Sequence, residues 1–264
     1  MSFYFSYAGS KRKEIKEIIQ LIDLNLYDNI IEPFGGSLSF SRYIYSINNK
    51  LNFYVSDINN ELTYFCNNFY KNKDDIINKV IEKINILKND KNLYNDYIKN
   101  YKNIEDEDFL TWFLILRTYY CLRIGLYPTK NRFPKYSNFN KKTLECDLFF
   151  KNINYECQDY KIYMDKFKND EKSLIFLDPP YINSCNEFYS NQNISTKDIN
   201  NQFDEIWEYL YNFMDTCKCK FILVVNDNFF MRQCYKKWFY KDYYKKYEMT
   251  KKETRHNIFT NINI

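Results

Sequence analysis

Apolar positions recur along the chain with two periods, and the alternation between them predicts an α/β protein. A 3.6-residue period over about Lys13–Leu24, with Ile15, Ile18, Ile19 and Ile22 in register, predicts a helix. Short apolar runs predict strands at Asn29–Glu32, Asn52–Asp57, Asn154–Cys157, Leu174–Asp178, Phe221–Asn226 and Ile258–Asn261. A second helix is expected to begin near Ser39, and another to span about Gln202–Thr216. From Glu61 to about Asn140 the pattern is mostly helical and aromatic, including Phe109–Leu126, and a basic loop with two prolines spans Tyr127–Lys142. Strands at both ends with a helical block between them predict one α/β sheet carrying an insertion. In open sheets of this kind ligands bind beyond the carboxyl ends of the strands.

Composition sharpens the picture at a few places. The chain holds four Gly, five Pro and one Ala, and seven of those ten residues fall in three short stretches. These are Ala8-Gly9, Pro33 with Gly35 and Gly36, and Pro179-Pro180. A chain this poor in glycine is expected to keep it where a side chain would clash. Eight cysteines without a CxxC pair point to reduced thiols and a cytoplasmic setting, and away from a disulfide framework or a zinc site. No apolar run is long enough to cross a membrane and the N-terminus lacks the features of a signal peptide, so no membrane partner is expected. The net charge of +4 permits a polyanionic partner without requiring one.

The candidate chemistry begins with Ser173-Leu174-Ile175-Phe176-Leu177-Asp178-Pro179-Pro180-Tyr181, an apolar strand ending in a carboxylate, two prolines and an aromatic. The prolines stiffen the backbone and remove two N–H donors, which leaves the carbonyls of Asp178 and Pro179 as acceptors on a rigid loop. Acceptors of this kind beside an aromatic plate suit a planar amine whose ring stacks on Tyr181 while its nitrogen is held for attack on a positioned electrophile. The residues alone also allow a plain strand end, with Asp178 capping a turn. In the same way Asp57 alone could be a turn carboxylate, and Lys11 a solvated lysine opening a helix.

The order of motifs resembles the Dam-like, D12 class DNA adenine-N6 methyltransferases over nearly the whole chain. Asp178-Pro179-Pro180-Tyr181 resembles the catalytic motif of amino-methyltransferases. Tyr7-Ala8-Gly9-Ser10-Lys11 is similar to the family's aromatic-A-G-G-K loop, and Ile31-Glu32-Pro33-Phe34-Gly35-Gly36-Ser37 to its E-P-F-x-G cofactor motif. Val55-Ser56-Asp57-Ile58-Asn59 resembles the acidic strand end that follows. Val224-Val225-Asn226-Asp227 and the segment from Arg255 to Asn261 are also similar, less specifically. Two positions depart from the pattern. Ser10 replaces the second Gly of the N-terminal loop, and Leu38 stands where the family usually has a second Gly after Gly36.

The resemblance implies a Rossmann-like S-adenosylmethionine-dependent methyltransferase sheet, with a catalytic domain over residues 1–61 and 150–264. It implies a mostly helical, inserted target-recognition domain over 62–149. It implies S-adenosyl-L-methionine as cofactor and transfer of its methyl group to the N6 amino group of adenine in duplex DNA, with the base flipped out. Tyr7, Lys11, Phe34, Gly36, Asp57, Asp159 and Tyr160 would bind the cofactor. Asp57 would take the ribose hydroxyls, and Asp159 the adenine amino group. Asp178, Pro179, Pro180 and Tyr181 would carry the transfer, with no metal and no covalent enzyme intermediate. In the insertion, Arg117, Arg123, Lys130, Arg132 and Lys135 alternate with aromatics and would contact DNA, cations on phosphates supplying affinity and register. A solvated loop is the plainer reading of each of these cations alone. Two other functions stay open at this level: an RNA amino-methyltransferase on the same fold, and an inactive DNA-binding or partner subunit. The lone His256 has no nucleophile–base arrangement around it, and no phosphate-binding GxxxxGK loop or nucleophile elbow occurs.

Overall fold

The structure is a computed structural model that describes residues 4, 7, 10–11, 14–87, 89–100, 108–118, 144–180, 196–246 and 253–262. Seven strands form one sheet: β1 Asn29–Glu32, β2 Asn52–Asp57, β3 Tyr155–Cys157, β4 Ser173–Leu177, β5 Lys220–Asn226, β6 Phe239–Lys246 and β7 Glu253–Thr260. Their order is β3-β2-β1-β4-β5-β7-β6. β1 pairs parallel to β4, β4 to β5 and β2 to β3, whereas β7 runs antiparallel to both β5 and β6. This mostly parallel α/β sheet has the Rossmann-like form that the resemblance implies.

The helices are α1 Ile15–Ile19, α2 Ser39–Ile47, α3 Asn60–Phe69, α4 Lys73–Leu87, α5 Lys91–Asn100, α6 Phe109–Thr118, α7 Leu144–Asn152, α8 Tyr160–Phe167, α9 Thr196–Thr216 and α10 Phe229–Cys234. By contacts the chain divides into two compact units. The first comprises residues 1–12, 36–48 and 55–158, and the second 13–35, 49–54 and 159–264. No helix among the described residues is long and apolar enough to cross a membrane.

In the second unit, Ile175 and Leu177 of β4 and Phe221, Leu223 and Val225 of β5 join one core with Tyr163, Met164 and Phe167 of α8 and Trp207, Leu210, Phe213 and Met214 of α9. The alternate residues Leu174, Phe176, Ile222 and Val224 are buried as well. Burial on both faces is why β4 and β5 read as unbroken apolar runs rather than alternating ones. The first unit is cored by rings. Phe65 stacks on Phe69 at 4.8 Å, and Tyr4 packs edge-on to Phe69 at 4.7 Å while its hydroxyl donates to Asp147 at 2.8 Å.

The predicted strands all form, and β2 has the expected bounds. Several elements differ from expectation: α8 and α10 were not foreseen, α9 begins at Thr196 rather than near Gln202, and three more differ as well. α1 is five residues long, followed by a 3-10 turn at Leu24–Leu26. There the Asp23 side chain accepts the Asn25 N–H and turns the chain away from a continued helix. β7 starts at Glu253, because pairing with β5 and β6 recruits polar residues that no apolar run announces. β6 was not expected at all. It is an edge strand rich in lysine and tyrosine, with no buried face to give a period-2 signal. Of the helix expected over Phe109–Leu126, α6 is described to Thr118 and the rest lies outside the described residues.

Candidate cofactor and catalytic site

The glycine turn is built in the first unit. Gly36 adopts φ +49°, a region open to glycine, and a Cβ placed on it would lie 2.9 Å from Cε1 of the Tyr7 ring. The backbone conformation favours glycine at this position, and the Tyr7 ring leaves no room for a Cβ. The Gly36 N–H donates to Asp57 Oδ2 at 2.8 Å, and the Gly36 carbonyl accepts the Tyr155 hydroxyl at 3.0 Å. Replacing Gly36 by Ala is expected to cost about 1–2 kcal/mol from the left-handed backbone alone. Displacement of Tyr7 would add to that cost. Denaturant melts should show the loss, together with weaker cofactor binding by calorimetry; unchanged values for both would contradict this account of the turn.

Leu38 also takes a left-handed backbone, φ 49° and ψ 39°, as the residue before α2. The chain keeps the conformation that a glycine would adopt there, and its side chain is fully buried. The strain of about 1–2 kcal/mol is of the size that burying a leucine returns, about 1.5–3 kcal/mol. A buried guanidinium braces the same turn: Arg42 Nε donates to the Ser37 carbonyl at 2.8 Å. Hydroxyls join the N-terminal loop to it, with Ser39 Oγ at 2.7 Å from both Ser10 Oγ and Ser37 Oγ. Lys11 is 2% exposed, so the solvated-lysine alternative is set aside. Ala8 and Gly9 lie outside the described residues.

Asp57 closes β2 with its carboxylate engaged from the protein side. Oδ2 accepts the Gly36 N–H, and Oδ1 accepts the Asn59 N–H at 2.9 Å. Burial pushes this carboxyl above the usual carboxylate range, while the Gly36 and Asn59 N–H groups, the Tyr155 hydroxyl and the charge of Arg117 pull in the opposite direction. A carboxylate offers about four acceptor positions, so these two backbone bonds leave capacity for hydroxyl donors. The next residue, Ile58, is 72% exposed and presents an apolar surface beside that carboxylate.

The second unit holds the remaining candidates. The half-buried rings of Phe34 and Tyr160 stack at 4.7 Å and 25°. Asp159 caps α8 by accepting the Lys161 N–H at 2.8 Å through Oδ1. Its second oxygen carries no hydrogen bond among the described residues and can accept an amino group. Taken unit by unit, the second offers an aromatic face and a carboxylate oxygen with spare capacity, and the first a carboxylate at Asp57 followed by the apolar Ile58; each set suits part of a nucleoside cofactor. The residues present therefore fit S-adenosyl-L-methionine.

Asp178 follows the fully buried β4, itself half-buried, with Pro179 buried and Pro180 half-buried. Tyr181 lies outside the described residues, as do Arg123, Lys130, Arg132 and Lys135. Arg117 stands on α6 with its guanidinium 4.9 Å from the centre of the Phe113 ring. His256 is fully buried in β7 and packs against the Tyr243 ring at 5.5 Å.

Sequence reasoning missed three contributors: Tyr155, Arg42 and Ile58. Tyr155 is 119 residues from the carbonyl it holds and gives no local signal. Arg42 reads as an ordinary helix cation. Ile58 could have been noticed as an apolar residue directly after a strand-end carboxylate.

No curated protein matches the chain in sequence. A family match does exist, and it covers residues 7–258, from the N-terminal loop into β7. The glycine turn, the strand-end Asp57 and the Asp178-Pro179-Pro180 loop all fall inside that span, and the chain belongs to the D12 class N6 adenine-specific DNA methyltransferases.

Proposed function

We propose that the protein methylates adenine N6 at specific sites in duplex DNA, with Asp178 and the Pro179 carbonyl holding the amino group of a flipped-out adenine. The observation that carries this reading is the rigid Asp178-Pro179-Pro180 exit from β4, a central parallel strand buried on both faces. Two adjacent prolines remove competing N–H donors, so the oxygens on this loop are acceptors only. The amino hydrogens donate to the Asp178 carboxylate and to the Pro179 carbonyl, and the base stacks on Tyr181. As the amine becomes bonded to carbon, positive charge develops on its nitrogen, and the Asp178 carboxylate stabilises it in place. Bound S-adenosyl-L-methionine would supply the electrophilic methyl group, its S–CH3 bond breaking to leave a neutral thioether, and the methylated nitrogen would lose its extra proton to solvent.

On the cofactor side, Asp57 is assigned to the ribose hydroxyls, Phe34 to the adenine ring and the second carboxylate oxygen of Asp159 to the adenine amino group. Tyr160 supports Phe34 by stacking. Tyr7 and the buried Lys11 belong to the loop that seats the methionine end, which Gly36 lets approach the backbone closely. Residues 62–149 act as the target-recognition insertion, with Arg117, Arg123, Lys130, Arg132 and Lys135 directed at DNA. Base extrusion costs a few kcal/mol, which contacts from this insertion offset.

Label transfer from methyl-labelled cofactor to duplex DNA, single-stranded DNA and RNA tests the reading. Duplex DNA should be the best acceptor, with the label recovered as N6-methyladenine. Preferential labelling of RNA, or no labelling of any nucleic acid, would overturn it.

A further inference from the structure

β4 and β5 are parallel neighbours with Leu177 opposite Leu223, and β5 runs on to Asn226, so the loop that leaves β5 opens at the same carboxyl edge of the sheet as the Asp178 loop, three residues or about 10 Å further along the strand direction. That loop, Asn226-Asp227-Asn228, leads straight into Phe229 and Phe230, which are 71% and 65% exposed. Both rings are displayed rather than buried, and a polar scaffold holds them there. The Asn228 side chain caps α10 by accepting the Phe230 N–H at 2.8 Å. The Asp227 N–H donates to the Arg255 carbonyl at 2.8 Å, and its carboxylate accepts Asn257 Nδ2 at 2.9 Å and pairs with Arg232. From Asn226 to Lys246 stand six lysines and arginines, of which Arg232, Lys237, Lys241 and Lys245 pair with Asp227, Asp215, Glu17 and Glu14. Lys236, exposed two residues past α10, has no acidic partner among the described residues.

We infer that Phe229 and Phe230 form a second DNA-contacting element, which stacks on bases exposed next to the flipped adenine while nearby cations meet the phosphates. The inference rests on the DNA reading above, and adds a surface distinct from the 62–149 insertion. Aromatic side chains stack on bases of any sequence, and phenylalanine serves as a wedge between base steps where a duplex is distorted. Both actions are needed where a base leaves its stack. A core-packing role does not account for two adjacent phenylalanines held outward on a braced loop.

The test is Phe229→Ala/Phe230→Ala in the full chain, compared with Phe229→Trp/Phe230→Trp. Because both rings are exposed, Tm and cofactor affinity should stay at wild-type values. KM for duplex DNA should rise about tenfold or more, as expected for loss of base stacking. The rise should shrink on a duplex whose target adenine sits opposite a mismatch, where unstacking is already partly done, and the tryptophan variant should recover most of the loss. An unchanged KM for duplex DNA in the alanine variant would overturn the inference, as would a change in self-association alone, which would mark the pair as a contact between copies of the chain. A wild-type chain that labels no DNA would instead overturn the function proposed above, so the two failures are separable.

Discussion

Replacing Asp178 by Ala is expected to lower kcat for methyl transfer to DNA by about 10²–10³-fold, the usual cost of deleting one preorganised group aimed at developing charge. The loss should appear in kcat rather than in the affinity for cofactor, because Asp178 is assigned to the amine and not to the nucleoside. Asp178→Asn keeps an acceptor oxygen but removes the negative charge, so its activity should fall between wild type and Asp178→Ala. Single-turnover kinetics with labelled cofactor, alongside calorimetric cofactor binding, separates these effects. Methylation by Asp178→Ala at the wild-type rate would remove the carboxylate from the proposed mechanism.

The second large effect is expected at Asp57. With two charge-assisted hydrogen bonds to ribose hydroxyls assigned to Asp57, each about 1.5–3 kcal/mol, Asp57→Ala should weaken cofactor binding about 100-fold or more at tenfold per 1.4 kcal/mol. Asp57→Ala also strips the Gly36 and Asn59 N–H groups of their acceptor, so Tm should fall as well. pH dependence distinguishes the two roles. The folded carboxyl titrates above its ordinary range, with burial the largest cause. Between the ordinary value and the raised one, the folded chain keeps a proton that the unfolded chain has released. Stability contributed by this group is therefore greatest below that interval and declines as pH rises through it. Cofactor affinity should move the other way, since the ionised carboxylate is the better acceptor for hydroxyl donors. Asp57→Asn should flatten both trends. Wild-type cofactor affinity that is flat or falling from acid to neutral pH would contradict the ribose assignment.

The legible part of this protein was what local pattern encodes. β4 and β5 were visible because a strand buried on both faces is apolar at every position. The Asp178 loop was visible because two consecutive prolines constrain backbone whatever surrounds them. Gly36 stood out because the chain has so few glycines, and Asp57 because it ends a strand about 20 residues further on, an offset shared with dinucleotide sites. β6 and the polar start of β7 were not legible, since their pairing depends on partners and they carry little apolar period of their own.

Sequence by itself determined the α/β class, the strand set apart from β6 and the family. Each of these follows from residue type and spacing along one stretch of chain. Tertiary structure alone decided why Gly36 must be glycine, since the obstructing atom belongs to Tyr7, 29 residues away, and the bracing carboxylate to Asp57. It also decided that Leu38 keeps a glycine-like backbone, that Lys11 is buried, and that Phe229 and Phe230 face outward. These depend on distances between residues far apart in sequence, and no local propensity encodes such distances.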